Sequence, residues 1–433
     1  MSAAFIRTAA AHRAPSPHGS STTRWLAQAE RLFTAAARLG HDGVGITRES
    51  YGDGESAVLA LLREWAAERG LAHATDHAAN GLFAQRAARE RPRIVCGSHI
   101  DSVPHGGNFD GLAGVIAGLL VLDRLESEGV HVPLTVAAIR GEESAWYGKA
   151  YVGSSAALGK LKAQDLALRN ARSGRSLRDA LVAAGADLDA IERGCRAPWT
   201  QADAYLELHI EQGPVMVKQG WPTAIVSGIR GNVRHNRIVC IGEAGHSGAI
   251  PRDLRKDAVL AVADLLMRMD RHWAGLLAEG EDLVVTSGIV TTDAHEHAVS
   301  RIPGEAAFSF EARSQHPATL ERVHALLVAE IAAVAGERGV RFELDRKIVS
   351  PPARMDPGLM RVLQDAADAA GQPCPQLPSG AGHDAAQFAN AGVPAAMLFV
   401  RNEHGSHNPH EAMDLADFVA AVEVLYHAVR RLA

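Results

Sequence analysis

A short apolar run, Ile94-Val95-Cys96, passes directly into GSHIDSVPHGGNFDG (97–111) and then into a second apolar run, Leu112 to Leu122. The first run reads as a buried strand and the second as a buried helix that continues through Leu125. Between them stand His99, His105, Asp101 and Asp110 among Gly97, Gly106, Gly107 and Gly111. Ordering such a loop costs conformational entropy with no apolar burial in return, unless something binds there.

The arrangement recurs along the chain. The β-branched run Val132–Ile139 leads into RGEESAWYG, Tyr205–Ile210 ends in HIEQGP, and Ala395–Val400 precedes EHGSHNPHE. Strands that each deliver polar residues at their ends are the usual site arrangement of an open α/β sheet. Helices are expected at Trp25–Leu39, Ser56–Arg69 and Asp356–Ala370, and residues 155–195 read as mainly helical and surface-exposed.

The pattern changes in the middle of the chain. Residues 224–242 alternate like a hairpin, Asp257–Trp273 is an amphipathic helix, Asp282–Val290 and Ala306–Arg313 are strands, and Pro317–Gly336 is a helix. The expected fold is therefore α/β. An α/β/α catalytic domain with a mixed, largely parallel sheet occupies residues 24–213 and 328–433, and a smaller α+β sandwich is inserted at 214–327. Residues 1–29 hold Arg7, Arg13 and Arg24 but no acidic residue and no apolar core of a secretory signal, so residues 1–23 read as a flexible extension.

A net charge of −6 over 433 residues gives no reason to expect nucleic acid or an anionic membrane as partner. The longest apolar run is too short to span a bilayer. The cysteines, Cys96, Cys195, Cys240 and Cys374, are far apart and form no CxxC pair, which fits reduced thiols in a cytoplasmic protein.

The chemistry lies in the strand-end loops. In His99-x-Asp101 one residue can ligate a metal while the other orients it through the second ring nitrogen. Asp110, set in glycine-rich backbone, can approach a cation closely. Glu142 and Glu143 are adjacent; on near-extended backbone their side chains point apart, leaving one as a ligand and the other for proton transfer. His209 ends a third strand and His407 follows a fourth. Singly, each has a plain structural reading as a turn hydrogen bond, a solvated face or a strand-end residue. Together they are hard to explain as surface decoration, and imidazole plus carboxylate without thiolate suits Zn²⁺, Mn²⁺, Co²⁺ or Ni²⁺ in a hydrolytic site.

Six strings, GSHIDSVPHGGNFDG, RGEES, ELHIEQGP, GEAGHSGAIPRDLRKDA, SGAGHDAAQFANAGVP and GSHNPHEAMDL, occur in an order and spacing that resemble one family. It is the hydantoinase/carbamoylase branch of the dinuclear aminoacylase and carboxypeptidase-G-like metallohydrolases, with N-carbamoyl-L-amino acid hydrolases, β-ureidopropionases and allantoate amidohydrolases among its members. The resemblance implies two divalent ions, Zn²⁺ or Mn²⁺ before Co²⁺ or Ni²⁺, bridged by Asp110. His99 and His209 complete one site, Glu143 and His407 the other. Glu142 becomes the general base toward a bridging hydroxide, and Asp101 supports His99. Two such ions about 3.5–4 Å apart lower the pKa of water from 15.7 to about 7. The resemblance also implies a homodimer formed through the insert, with His246 reaching the partner's site to stabilise an oxyanion. Arg313 then grips the substrate carboxylate, Gln212 the carbamoyl or amide group, and His383 lines the pocket.

One string departs from the family. Relatives commonly read NVIPG where this chain reads SRIPG, so Ser300 stands at an Asn that contacts substrate. A shorter hydroxyl there leaves the metal set intact and bears on which substrate fits. The expected activity is hydrolysis of the linear C–N bond of an N-carbamoyl L-amino acid or related ureide. An N-acyl amino acid deacylase or aminopeptidase, and an allantoate-type hydrolase, are the alternatives. A non-catalytic protein on a degenerate metallohydrolase fold is disfavoured because Glu142 and every ligand are present.

Overall fold

The structure, a computed structural model, describes residues 19–86 and 92–433. Residues 1–18 of the expected extension lie outside the described residues, and a helix begins within its remainder, at Gly19. The chain divides into two compact units: one runs up to Ser227 and resumes at Arg354, and the other is Gly228–Ala353.

The larger unit is built on a mixed sheet. Its strands run in the spatial order Ala72–Thr75, Gly81–Ala84, Leu134–Ile139, Ile94–His99, Ala204–Ile210, Ala395–Val400 and Thr223–Ile229. The four central strands, Leu134–Ile139 to Ala395–Val400, are mutually parallel, with antiparallel strands outside them. All four are buried from end to end, which is why they read as near-continuous apolar runs rather than alternating ones. Their C-terminal ends lie together and supply the loops 100–111, 140–151, 211–214 and 401–414.

Alternation along Ala204–Ile210 sorts its side chains. Leu206, Leu208 and Ile210 join the main core, with helices Leu112–Ser127, Pro357–Ala369 and Leu415–Leu432. Tyr205 stacks on Phe388 of helix Asp384–Ala389, with ring centroids 4.0 Å apart, so helices cover both faces. Residues 155–195 form short helices, as expected, but Leu161, Leu177, Leu181 and Ile191 are buried in a small core with Tyr51, Ala78 and Trp146 rather than exposed.

The smaller unit is α+β. Glu305–Ser314 and Gly231–Ile241 pair antiparallel at the centre of a six-stranded sheet, and helices Ala258–Ala278 and Pro317–Arg338 share a core with it through Val262, Leu265, Phe308, Phe310, Val323 and Leu327. The Asp257 side chain caps the first of these helices by accepting the Leu260 N–H.

Two expectations need correction here. Residues 224–242 are not a hairpin: Thr223–Ile229 joins the large sheet against Ala395–Val400, and Gly231–Ile241 joins the small one. Alternation fixes which side chains share a face but not which sheet receives them. The insert bounds of 214–327 also move. A cut at 327 falls inside helix Pro317–Arg338, whose Leu320, Val323, Leu327, Ile331 and Val334 all feed the smaller unit's core. Among the described residues no helix is long and apolar enough to cross a membrane.

Candidate metal centre

Asp110 is the hub. Its Oδ1 lies 3.1 Å from His209 Nε2 and 3.4 Å from His99 Nε2. Its Oδ2 lies 3.4 Å from His407 Nε2, which is in turn 3.2 Å from Glu143 Oε1. Of four overlapping donor triplets among the described residues, two share the Asp110 carboxylate, His99–Asp110–His209 and Asp110–Glu143–His407; the others are His99–Glu142–Glu143 and Glu207–His209–His383.

Two glycines of the opening loop leave room for side chains at this cluster. Gly111 takes φ +66°, and a Cβ there would overlap the His99 imidazole. Gly107 leaves room for the carboxyl of Glu411, which any side chain at that position would displace.

Glu142 and Glu143 do not point apart. One oxygen of each lies within 4.8 Å of the other and of a His99 ring nitrogen. The strand stops at Ile139, Gly141 turns the chain at φ +64°, and the Asp101 carboxylate accepts both the Glu142 and Glu143 N–H groups at 3.1 Å. The backbone is therefore folded where extension was expected. Asp101 also lies 3.3 Å from His99 Nδ1, so the second ring nitrogen of that histidine has the expected partner.

The site is dense in buried charge. Asp101, Asp110, Glu142 and Glu143 are all buried. Burial raises the Glu142 carboxyl well above the usual range, with His99 opposing and Glu143 adding to the rise. Burial works the same way on Asp110, but hydrogen bonds from His209, His407 and His99 overcome it and hold this carboxyl well below its ordinary value. The imidazole of His407 is pushed up to about 11 by hydrogen bonds to Asp110 and Glu143. Imidazoles thus stand against carboxylates that are largely buried. Divalent cations fit the same atoms: the donors are imidazole nitrogen and carboxylate oxygen throughout, with no thiol among them.

Two neighbours complete this cluster. Gln212, at φ +65°, donates from Nε2 to Asp110 Oδ2 at 2.7 Å. A carboxylate can only accept, so the Gln212 oxygen must face away, and it is buried with no partner among the described residues. His383 was expected on a pocket wall. It is 1% exposed, sits edge-on to His209 at 4.4 Å between ring centroids, and is 2.7 Å from the Ser379 hydroxyl. Burial and the neighbouring His209 charge hold it well below its ordinary value.

His246, Ser300 and Arg313 belong to the smaller unit. His246 and Arg301 are register partners in a two-stranded ribbon, and the Ser300 carbonyl accepts the Ser247 N–H at 2.8 Å. His246 and Ser300 are therefore neighbours and both are exposed. Arg313 stands on strand Glu305–Ser314 and donates from Nε to Glu311 Oε2 at 3.0 Å.

Other residues of the larger unit escaped the sequence reading. Glu411 accepts the Phe109 and Asp110 N–H groups, Asn402 accepts the Gln212 N–H, and Glu207 accepts the Ser98 hydroxyl and the Ala385 N–H. Glu207 and Glu411 stand in the strings ELHIEQGP and GSHNPHEAMDL and Asn402 in the polar loop before the latter, but neither string nor loop names their partners.

The model of Peptidase family M20/M25/M40 matches residues 95–431. An N-carbamoyl-L-amino acid amidohydrolase of Geobacillus stearothermophilus is 34% identical over 94% of this chain and 99% of its own length. An allantoate amidohydrolase of Bacillus subtilis is 32% identical over 94% of this chain and 96% of its own. Among solved structures, a hydantoinase/carbamoylase family amidase from Burkholderia ambifaria superposes with a TM-score of 0.83 at 31% identity, covering 95% of this chain and 97% of that one. The likenesses over nearly the whole chain, with the candidate donor cluster at the strand ends, place the protein in Peptidase family M20/M25/M40, a family of metallohydrolases, on its hydantoinase/carbamoylase side.

Proposed function

We propose that this amidohydrolase cleaves the linear C–N bond of N-carbamoyl L-amino acids or closely related ureides, using two divalent ions, Zn²⁺ or Mn²⁺. The observation that carries the reading is the pair of donor triplets sharing Asp110, with the Glu142 carboxyl beside them. His99, Asp110 and His209 would hold one ion, and Asp110, Glu143 and His407 the other. Bound there, such ions supply Lewis acidity toward a carbonyl oxygen and lower the pKa of water.

The chain's own residues do the rest. Glu142 takes the proton of the attacking water and passes it to the leaving nitrogen, from a position beside both donor triplets. The orphaned Gln212 oxygen is an acceptor for the N–H of a ureido group. Arg313 offers a planar fork to the substrate carboxylate once it exchanges Glu311 for it. His246 stabilises the developing oxyanion, from the partner subunit of a homodimer that forms through the smaller unit. A ureido substrate yields amino acid, ammonia and carbon dioxide. The relatives' names do not favour a deacylase or an aminopeptidase. Allantoate remains a second reading on the strength of the Bacillus subtilis relative, since Ser300 alters the expected substrate contact.

The test is to strip the protein with chelator, reload it separately with Zn²⁺, Mn²⁺, Co²⁺ and Ni²⁺, and follow ammonia release. The panel holds N-carbamoyl-L- and D-amino acids, N-carbamoyl-β-alanine, allantoate, and N-acetyl and N-formyl amino acids. Metal-dependent ammonia from one ureide class is the expected result. Free amine from an acyl amino acid without ammonia would overturn the ureide assignment.

A further inference from the structure

Asp110 can serve two triplets only if both of its oxygens stay aimed, and its own loop is poorly equipped to aim them. It is flanked by Gly106, Gly107 and Gly111, which give the backbone freedom rather than stiffness. The constraint comes from the far end of the chain. Glu411 Oε1 accepts the Phe109 N–H at 2.7 Å and the Asp110 N–H at 3.2 Å. Its Oε2 lies 2.6 Å from the Ser406 hydroxyl, which is also 2.5 Å from Asp110 Oδ2. One side chain therefore holds the Asp110 backbone directly and sets the Ser406 hydroxyl, whose single proton goes to one of the two carboxylates at a time, beside Asp110 Oδ2. It is 2% exposed, and it reaches its place through the gap left by the missing side chain of Gly107.

We propose that Glu411 is the positioning residue for Asp110, and that Gly107 is glycine in order to admit it. This rests on the reading of Asp110 as a metal ligand. The Glu411 carboxyl touches no reacting atom; it fixes the angle at which the Asp110 oxygens meet the two triplets, and it ties the loop of His407 to the loop of Asp110. The same geometry predicts which replacement succeeds. Both backbone N–H groups converge on one oxygen, so the amide of Glu411→Gln keeps that acceptor and turns its NH₂ toward the Ser406 oxygen. Glu411→Ala loses both attachments. Gly107→Ala leaves Glu411 in the sequence but displaces its carboxyl.

The experiment measures Zn²⁺ and Mn²⁺ dissociation constants of the full chain by competition with a chromophoric chelator, alongside the melting temperature of each metal-free variant. Expected are a loss of affinity of roughly 10–100-fold in Glu411→Ala and Gly107→Ala, the usual cost of removing a group that orients a ligand, and affinity within a few-fold of the parent in Glu411→Gln. Parent-like affinity in Glu411→Ala, or an equal loss in Glu411→Gln, overturns the proposal. So does a metal-free melting temperature that falls in step with affinity across the series, since that would make Glu411 a general structural support. Should the parent chain itself bind neither ion, the metal reading fails, and the assignment of Glu411 falls with it as a separate, recognisable outcome.

Discussion

Asp101 Oδ1 accepts the backbone N–H of Glu142 at 3.1 Å, tying the first strand-end loop to the second. Its other oxygen takes the Glu143 N–H at 3.1 Å and the Ser50 hydroxyl at 2.6 Å. One carboxylate thus orients the His99 ring and sets the backbone that presents both glutamates. Asp101→Asn preserves the shape but turns an NH₂ donor against one of those N–H groups. We expect metal affinity to fall roughly 10–100-fold, by the same chelator competition. Unchanged affinity would show that the ligands need no such guide.

Glu142 is argued to move a proton and Glu143 to hold a metal, although the two are adjacent and both buried. Glu142→Gln removes the base while leaving both Asp110-centred triplets complete. Turnover should drop by about 10²–10⁴-fold, the range for loss of a general base, with metal content per subunit unchanged. Elemental analysis beside a rate measurement separates the roles. A variant that loses metal together with activity would reassign Glu142 as a ligand.

His246 is exposed on a short ribbon of the smaller unit, which suits a group that acts outside its own chain. His246→Ala alone and Glu142→Gln alone should both be nearly inactive. Mixed and allowed to exchange subunits, they should recover measurable activity, because one site of the heterodimer then has an intact base and an intact histidine. Mixed dimers that form and stay inactive would place His246 in its own subunit's chemistry or outside it.

The centre of the fold was legible because its signals are local. Ala395–Val400 is the strand its apolar run announced, and each polar string beyond a strand end delivers a side chain to one cluster. What was illegible depends on partners distant in sequence. Glu411 sits 302 positions from Phe109, and nothing in its own surroundings names that contact. The folding of Glu142 and Glu143 toward each other likewise depends on Asp101, about forty positions upstream. The bounds of the smaller unit failed for a related reason: a helix with one apolar face carries no mark of which sheet that face will meet.

The turn that carries Glu142 leans on a buried ion pair. Arg140 Nε donates to Glu55 Oε2 at 2.5 Å, while the same carboxylate accepts the Tyr51 N–H at 2.7 Å and the Gly141 N–H at 2.9 Å. Glu55 is 0% exposed and Arg140 2%. Glu55→Ala leaves a guanidinium and two backbone donors buried with their main acceptor gone, which costs about 3–5 kcal/mol. Glu55→Met with Arg140→Met removes charge from both sides and should recover the part of that loss due to the unpaired guanidinium, while the Tyr51 and Gly141 N–H groups remain without their acceptor. Urea unfolding of the metal-free proteins reads both values. If the single variant unfolds at the parent's midpoint, water reaches Arg140 in solution and the turn is held by Asp101 alone. If the double variant is as stable as the parent yet turns over slowly, the pair's contribution is to the placement of Glu142 rather than to the stability of the fold.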